Sequence, residues 1–266
     1  MPAGFDDTAE EDMMRHPRLA AATAVFAALL WWAPAAAEPV DVELVLAADG
    51  SGSIDDDELA FQRRGYAEAV LSAEVLNAIR DGIHQSIAVA YIEWGGPASQ
   101  HTIVDWTVIR DEASARAFAE ALMSRPRAAW GYNSISAAID YSVHKIETNA
   151  HQGLRRVIDV SGDGPNIGGR SIHAARDEAV AKGIVINGLV IQRPGGQPRI
   201  VGGRPLSLVY EQDVIGGPAS FVMVADERLS FADAVRRKMV LEIAGLTPDA
   251  PTQAADAQPD GVPTIR

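Results

Sequence analysis

The sequence predicts a doubly wound α/β fold with a mostly parallel central sheet, helices on both faces and one antiparallel edge strand. Strand-like and helix-like segments alternate along most of the chain, and strands joined through helices form parallel sheets by right-handed crossovers. Only after Glu93 does one strand-like segment follow another, across a short Gly-Gly-Pro loop that is typical of an antiparallel hairpin.

The first strand is expected over residues 40–48, where alternating residues become continuously apolar, as in a strand covered on both faces. It ends at Asp49 in a Gly/Ser-rich turn. One helix is expected over residues 56–80, because acidic residues crowd its first turns and its apolar residues fall near one stripe. These segments form the first strand-loop-helix unit.

The other elements follow from the same periodicities and from Gly/Pro-rich breaks between them. Strands are expected at residues 86–93, 101–106, 156–161, 184–191 and 221–224. Helices are expected at residues 111–123, 134–147, 171–182 and 231–244. Residues 192–205 are rich in Gly, Pro and Arg and are interpreted as a surface loop.

The two ends of the chain differ from this pattern. Residues 1–37 are typical of an export signal: two arginines precede an apolar run, and Ala35 and Ala37 supply a small-residue cleavage site. We expect cleavage after Ala37 and a periplasmic or secreted product without stable membrane insertion. Residues 1–12 are acidic, which indicates a misplaced start codon. Residues 38–246 form one domain, and residues 247–266 lack periodicity and predict a disordered tail.

Composition excludes several function classes. The chain of 266 residues carries a formal net charge of -13, which disfavours binding to nucleic acid or anionic lipid. It contains no cysteine, so disulfides, thiolate metal sites and cysteine nucleophiles are absent. Its six histidines show no metal-binding spacing. Any bound metal is therefore expected to be held by oxygen.

Three segments place oxygen-bearing side chains just after predicted strands or before a helix. Ligands of doubly wound sheets bind at such positions, outside the carboxyl ends of the strands. The first segment follows strand one in a D-x-S-x-S pattern, the second opens a helix, and the third is a Gly-bounded Asp turn. Their candidate ligands are Asp49, Ser51, Ser53, Asn133, Ser134 and Asp163.

The donor types indicate the kind of ion. Two carboxylates with hydroxyl and amide oxygens, and without imidazole or thiolate, suit a hard cation such as Mg²⁺, with Mn²⁺ or Ca²⁺ as alternatives. Each segment also has a purely structural interpretation, because Asp and Ser commonly form turns, and Asn133 or Ser134 could simply cap a helix.

In this order, the D-x-S-x-S turn, the G-x-N-S helix opening and the S-G-D-G turn resemble the metal-ion-dependent adhesion site of von Willebrand factor A domains. The resemblance covers residues 40–245 and is strongest to an uncharacterised exported bacterial branch. It implies that Ser51 and Ser53 bind Mg²⁺ directly, that Asp49 and Asp163 act largely through water, and that a partner protein's Asp or Glu completes the shell. It implies a non-catalytic binding domain.

One position departs from the family pattern, because the family usually has Thr where this chain has Asn133. An amide then replaces the hydroxyl ligand, or the ligand moves to Ser134. The aromatic residues Trp94, Trp106 and Trp130 could form a recognition rim, although aromatics near strand ends commonly pack in the core. The arginines of the 192–205 loop, Arg193, Arg199 and Arg204, could contact an anionic partner, although such loop residues are more commonly solvated.

Two other functions are consistent with the fold class. A phosphatase-like, metal-dependent hydrolase could use Asp49 as its nucleophile, but Ser51 stands where such enzymes place a second Asp. A dinucleotide-binding domain would require G-x-G-x-x-G, of which Gly50-Ser51-Gly52 supplies only half. The sequence therefore favours the binding domain.

Overall fold

The computed structural model describes residues 37–192, 197–226 and 229–248. The described residues all belong to one compact unit that extends from Ala37. Among them, no helix is both long and apolar enough to cross a bilayer. The expected signal segment up to residue 36, the residue Arg193 and nearly all of the expected tail lie outside the described residues, so the expectations about them stay predictions.

The core is a six-stranded sheet in the order β3-β2-β1-β4-β5-β8. All neighbouring strands pair in parallel except β3, which pairs antiparallel with β2 at the edge. The doubly wound sheet with one antiparallel edge strand is therefore confirmed. The strands are β1 (Glu38–Asp49), β2 (Ile87–Trp94), β3 (Gln100–Ile109), β4 (His151–Gly162), β5 (Ile184–Ile191) and β8 (Val222–Ala225), and β6 (Ile200–Val201) and β7 (Arg204–Pro205) form a separate two-stranded hairpin.

Helices cover both faces of the sheet. On one face α1, α2, α3 and α7 bury an apolar cluster that includes Tyr66, Phe118 and Phe231. On the other face α4, α5 and α6 bury a second cluster that includes Ile139 and Tyr210. The helices are α1 (Asp56–Leu71), α2 (Ala73–Arg80), α3 (Glu112–Ser124), α4 (Ile135–Glu147), α5 (Ile172–Ala181), α6 (Leu206–Val209, continuing as a π-helical turn over Tyr210–Val214) and α7 (Phe231–Ala244).

The prediction of one long helix over residues 56–80 is wrong. The helix is interrupted at Ser72, whose backbone is extended (φ -68°, ψ 148°) and ends α1 while it begins α2. The Ser72 hydroxyl accepts from the Val75 backbone N–H at 3.3 Å and donates to the Ala69 carbonyl at 2.7 Å. Ser is a preferred N-cap because its oxygen satisfies such a free N–H group, and the break turns α2 back onto α7.

Two further expectations are corrected. Strand β4 begins at His151, five residues before the predicted start, because its first half pairs with the start of β1 although its side chains are largely exposed. The expected surface loop at residues 192–205 contains the β6–β7 hairpin, and the unpredicted α6 follows it directly. Helix α6 buries Tyr210 under the carboxyl end of the sheet.

A cluster of charged side chains is buried between the sheet and α7. Lys238 and Glu242 lie one turn apart on α7 and face Asp159 of β4, and all three are at most 2% exposed. The Lys238 ammonium lies 2.6 Å from Asp159 Oδ1 and also pairs with Glu242. Asn187 donates to Glu242 Oε1 at 2.9 Å. Burial, with the Asp159 charge adding to it, raises the pKa of Glu242 from 4.5 to about 7 although Lys238 opposes the shift.

This raised pKa predicts a pH-dependent contribution to stability. Between pH 4.5 and 7 the folded chain holds a proton on Glu242 that the unfolded chain releases, so the contribution is present at low pH and is lost as pH rises through this window. Relative to Glu242→Gln, the wild type should lose about 2–3 kcal/mol of unfolding free energy between pH 5 and 8. Denaturant unfolding with EDTA at several pH values measures it.

Glu120, which is exposed on α3, provides the matched control. The Glu120→Gln variant should follow the wild type at every pH. If the stability curves of wild type and Glu242→Gln ran parallel from pH 5 to 8, the protonation assigned to Glu242 would be incorrect.

Candidate metal site at the carboxyl ends of β1 and β4

The candidate ligands meet where the strand order reverses. From β1 the chain proceeds to β2 and β3 on one side, and from β4 it proceeds to β5 and β8 on the other. A crevice forms at such a point between the loops that leave the two central strands. Asp49 is the last residue of β1, and Asp163 follows the last residue of β4.

The D-x-S-x-S segment folds into a compact turn around Asp49. The Ser51 backbone N–H donates to Asp49 Oδ1 at 2.8 Å, and the Ser51 and Ser53 hydroxyls lie 3.1 Å apart. Asp49 and Ser51 are fully buried, whereas Ser53 is exposed. The turn therefore presents the Ser53 hydroxyl outward, above the buried Asp49 and Ser51.

The second carboxylate reaches the same turn from β4. The Ser53 hydroxyl donates to Asp163 Oδ1 at 3.0 Å across 110 residues of sequence. Gly162 allows this approach, because a Cβ there would lie 2.7 Å from the Tyr210 hydroxyl and 3.0 Å from Asp49 Oδ2. The expected convergence of the first and third segments is thus present in the fold.

The two residues of the helix opening have different surroundings. The Asn133 side-chain amide donates to Asp49 Oδ2 at 3.2 Å, which places it beside the first carboxylate. The Ser134 hydroxyl instead donates to the Gly168 carbonyl at 3.0 Å, and it makes no capping bond to α4. Hydrogen bonds therefore connect Asn133 with Asp49, whereas Ser134 holds the 164–169 loop.

The two carboxylates of the site differ in their surroundings, because Arg199 pairs with Asp163 Oδ1 at 3.7 Å whereas Asp49 is fully buried. Burial raises the pKa of Asp49 from 3.8 to about 7, and the neighbouring charge of Asp163 adds to the shift, although hydrogen bonds from Ser51 oppose it. Burial and the same two carboxylates raise the pKa of the Tyr210 hydroxyl. A bound cation would favour both ionised carboxylates, and a raised pKa in a crevice is typical of a functional site.

Two residues that the sequence did not single out, Arg127 and Tyr210, build the walls together with Arg199 of the 192–205 loop. Arg127 donates to the Gly50 and Ser51 carbonyls at 2.8 and 2.9 Å. Tyr210 donates to the Gly164 carbonyl at 3.1 Å. Arg199 donates to the Asp163 carbonyl at 2.7 Å, so it contacts the site instead of being merely solvated. Arg204 also has partners, since it contacts Gln212 and Asp213.

A buried ion pair fixes the loop that carries Asn133. Arg63 of α1 and Glu93 of β2 are 7% and 0% exposed in their side chains, and their closest N–O distance is 2.5 Å. Arg63 also donates to the carbonyls of Arg125 and Pro126, and Glu93 accepts from the Ala128 N–H at 3.3 Å. The Arg63–Glu93 pair therefore fixes the 125–128 segment through hydrogen bonds to its backbone.

The three tryptophans have separate roles. Trp94 is fully buried and donates to the Ala47 carbonyl at 3.0 Å, so it belongs to the core. Trp106 packs partly buried on the edge strand and donates to the Lys145 carbonyl. Trp130 is 58% exposed and stacks under Arg127, whose guanidinium carbon lies 4.1 Å from the ring centre. Only Trp130 is available to a partner near the site.

The donor set fits a hard cation better than a transition metal. Two carboxylates, two hydroxyls and one amide meet in the crevice, and no group of three or more His, Cys, Asp or Glu residues suited to a metal occurs within residues 37–192, 197–226 and 229–248. Oxygen-only donors of this kind match the preferences of Mg²⁺, Mn²⁺ and Ca²⁺.

Comparison with known sequences places the chain in a family. The family model described as "Protein of unknown function (DUF1194)" matches residues 39–247. The chain belongs to the DUF1194 family. Comparison with curated proteins gives no match. The DUF1194 region covers all of the sheet except its first residue, Glu38, and all the candidate metal ligands lie within it.

Solved structures show which fold this DUF1194 domain has. It is similar to the pilus adhesin SpaC of Lactobacillus rhamnosus GG (TM-score 0.53, 15% identity, 78% of this chain and 30% of that chain). It is also similar to proximal thread matrix protein 1 from the mussel byssus (TM-score 0.52, 13% identity, 78% and 47%). A third is a von Willebrand factor type A structure from Catenulispora acidiphila (TM-score 0.50, 14% identity, 77% and 42%).

These likenesses establish the von Willebrand factor A-like fold, as the sequence resemblance implied. The chain spans less than half the length of each of these three structures. At identities of 13–15%, the likeness concerns the fold alone.

Proposed function

We propose that this DUF1194 domain is an exported, non-catalytic binding module that holds Mg²⁺ at Asp49, Ser51, Ser53, Asn133 and Asp163 and uses it to grip a carboxylate of a partner protein. The observation that carries the proposal is the junction of Asp49 and Asp163 through Ser53 at the topological switch point. The fold is shared with an adhesin, which is consistent with a binding role.

The cation would supply positive charge beside the buried Asp49, whereas Asp163 already has the Arg199 guanidinium at 3.7 Å. Ser51 and Ser53 would offer hydroxyl oxygens to it, and Asp49 and Asp163 would balance its charge. Asn133 would orient Asp49 through its amide. An acidic chain with a net charge of -13 could thereby attract an acidic partner at one point of its surface.

A hydrolase that uses Asp49 as nucleophile is less consistent with the geometry. Asp49 is fully buried, and both its carboxylate oxygens accept hydrogen bonds from within the turn and from Asn133. A nucleophile must instead reach a substrate atom with an open approach. Ser53 is exposed, and its hydroxyl donates to Asp163 Oδ1 at 3.0 Å, as expected for a group that holds the site together. Binding is therefore the function that this arrangement supports best.

Export is the proposed setting. It rests on the apolar run after Arg15 and Arg18 and on the small residues Ala35 and Ala37. Five acidic and two basic residues lie in residues 1–37, so the remaining chain has 31 acidic and 21 basic residues and a net charge of about -10. Amino-terminal sequencing of the protein recovered from the periplasm or medium should begin at Glu38.

Mg²⁺ should raise the unfolding temperature of the chain from Glu38 onward. At a concentration about ten times Kd, linkage predicts roughly 1.4 kcal/mol of stabilisation, equivalent to a few degrees for a domain of this size. Asp163→Asn should abolish this rise. In EDTA the same variant should be no less stable than wild type, because burial chiefly raises the pKa of Asp49 and the substitution removes the smaller contribution of the Asp163 charge. Thermal unfolding with EDTA, Mg²⁺ or Mn²⁺ measures both effects.

Asp81→Asn is the matched control, since Asp81 is exposed at the opposite end of the sheet. It should retain the full response to Mg²⁺. An Asp163→Asn variant that responded to Mg²⁺ like the wild type would contradict the assignment of the site.

A further inference from the structure

A cavity of about 440 Å³ opens beside the candidate metal site, between α1, α7 and the carboxyl ends of β5 and β8. Its walls are mainly apolar and include Ile54, Phe61, Ile191, Ala225 and Phe231. Its volume falls in the range of pockets that hold small ligands, about 300–1,000 Å³. The cavity therefore offers room for a bulky apolar group at this end of the sheet.

The cavity is continuous with the candidate metal site. Asp163 belongs to both, and Ile54 follows Ser53 directly in the chain. A group bound to the cation and a group in the cavity can therefore belong to neighbouring residues of one ligand. The sequence did not predict this apolar cavity beside the candidate metal site. Ile54 and Phe61 resemble ordinary apolar residues at the start of a helix when they are seen in the sequence alone.

Two side chains in the cavity lack the surroundings of ordinary core residues. Phe61 is 53% exposed, although its ring lies 6.0 Å from that of the buried Phe231. Gln62 is only 3% exposed and lines the cavity, yet its Oε1 has no hydrogen-bond partner among the described residues. An unpaired buried acceptor costs about 1–3 kcal/mol, so an incoming N–H group would remove a penalty.

These observations favour a peptide as the occupant. A peptide backbone carries N–H donors for Gln62 Oε1, whereas the hydrocarbon chain of a fatty acid carries none. Glu58 and Asp226 also line the cavity, and their charges disfavour a second acidic group there. In a peptide whose carboxylate binds the cation, the adjacent residue that enters the cavity is therefore expected to be apolar.

Resting on the proposed function, we infer that the partner presents an Asp or Glu with a bulky apolar residue one or two positions away, whose side chain enters the cavity formed by Ile54, Phe61, Ile191, Ala225 and Phe231. The carboxylate supplies the attachment to the cation, and the apolar side chain supplies the selectivity.

A set of five capped peptides tests this inference in the chain from Glu38 onward. The reference is Gly-Gly-Asp-Gly-Gly, and each of the other four replaces one glycine with leucine. In Mg²⁺, at least one leucine peptide should bind about tenfold more tightly than the reference, as burial of a leucine side chain predicts. Chemical-shift titration measures these affinities, and EDTA should abolish binding of all five.

Substitutions in the cavity separate the two halves of the site. Phe61→Ala removes a half-exposed wall, and Ala225→Leu fills the cavity from β8. Each substitution should lower the affinity for the preferred leucine peptide to nearly that of the reference peptide. The affinity for the reference peptide itself should not change. Ile83→Ala, which removes an apolar side chain that is 81% exposed elsewhere on the surface, should change neither affinity.

The outcomes distinguish the two proposals. If all five peptides bind equally in Mg²⁺, or if Phe61→Ala and Ala225→Leu leave the leucine preference intact, the cavity inference fails and the metal-dependent grip on a carboxylate stands. If no peptide binds in Mg²⁺ more tightly than in EDTA, both fail.

Discussion

Lys238→Met is expected to lower the free energy of unfolding by about 3–5 kcal/mol, because it leaves Asp159 and Glu242 buried without a cation. Lys238 is fully buried and is the positive partner of both carboxylates. Asp159 Oδ2 and Glu242 Oε2 already have no hydrogen-bond partner among the described residues, so few other groups can stabilise the two carboxylates once Lys238 is lost. Urea unfolding at pH 7 measures the loss.

The matched control for this substitution is Lys182→Met. Lys182 is half-exposed and pairs with Glu147 at 2.5 Å on the surface, where such pairs contribute at most about 1 kcal/mol. Adding Asp159→Asn and Glu242→Gln to Lys238→Met removes the buried charges and should recover most of the lost stability. A loss below about 1 kcal/mol for Lys238→Met alone would show that the cluster is not held by its lysine.

Arg63→Met is expected to cost a similar 3–5 kcal/mol and, in addition, to remove the response to Mg²⁺. Glu93 would remain as a fully buried carboxylate without its guanidinium partner. The carbonyls of Arg125 and Pro126 would lose their donors at the same time. The segment that leads to Asn133 would then lose its support. Denaturant unfolding and the thermal shift in Mg²⁺ measure the two effects.

Arg64 provides the control on the same helix, because its side chain is exposed. Arg64→Met should change stability by less than about 0.5 kcal/mol. The double variant Arg63→Met/Glu93→Gln should lose less unfolding free energy than the sum of the losses of the two single variants, since the two residues form one pair. Strict additivity would argue against the ion pair as the support of the loop.

The sheet could be predicted from the sequence because its strands are nearly continuous apolar runs. Strand β1 is buried from Val40 to Asp49 and β2 along its whole length, and the apolar stretches 44–48 and 87–92 mark them, although β1 also buries Asp41 and Glu43. The break at Ser72 was missed although Ser is a common N-cap, because the apolar stripe continues across it. Helix α6 was missed because it follows a Gly/Arg-rich segment and is short.

The approach of Asp49 and Asp163 to each other was also predictable, since Asp49 ends β1 and Asp163 follows the adjacent parallel strand β4. The buried charged residues that support the fold around the candidate site could not be predicted. Arg63 and Lys238 lie among other basic residues of their helices, as solvent-facing residues do, and only the packing of the helices on the sheet buries them. Sequence periodicity gives no signal for a charge that is buried with a partner 30 or 79 positions away.

The measurement that tests the proposed metal site most directly is a calorimetric titration of Mg²⁺ into the EDTA-treated chain from Glu38 onward, with Mn²⁺ as a second ion. The geometry predicts one saturable site per chain, with a Kd of about 1 mM or below, that is lost in Asp163→Asn and weakened in Ser53→Ala. Absence of saturable binding by the wild type at millimolar concentration, with the fold intact, would contradict the metal site and with it the proposed binding function.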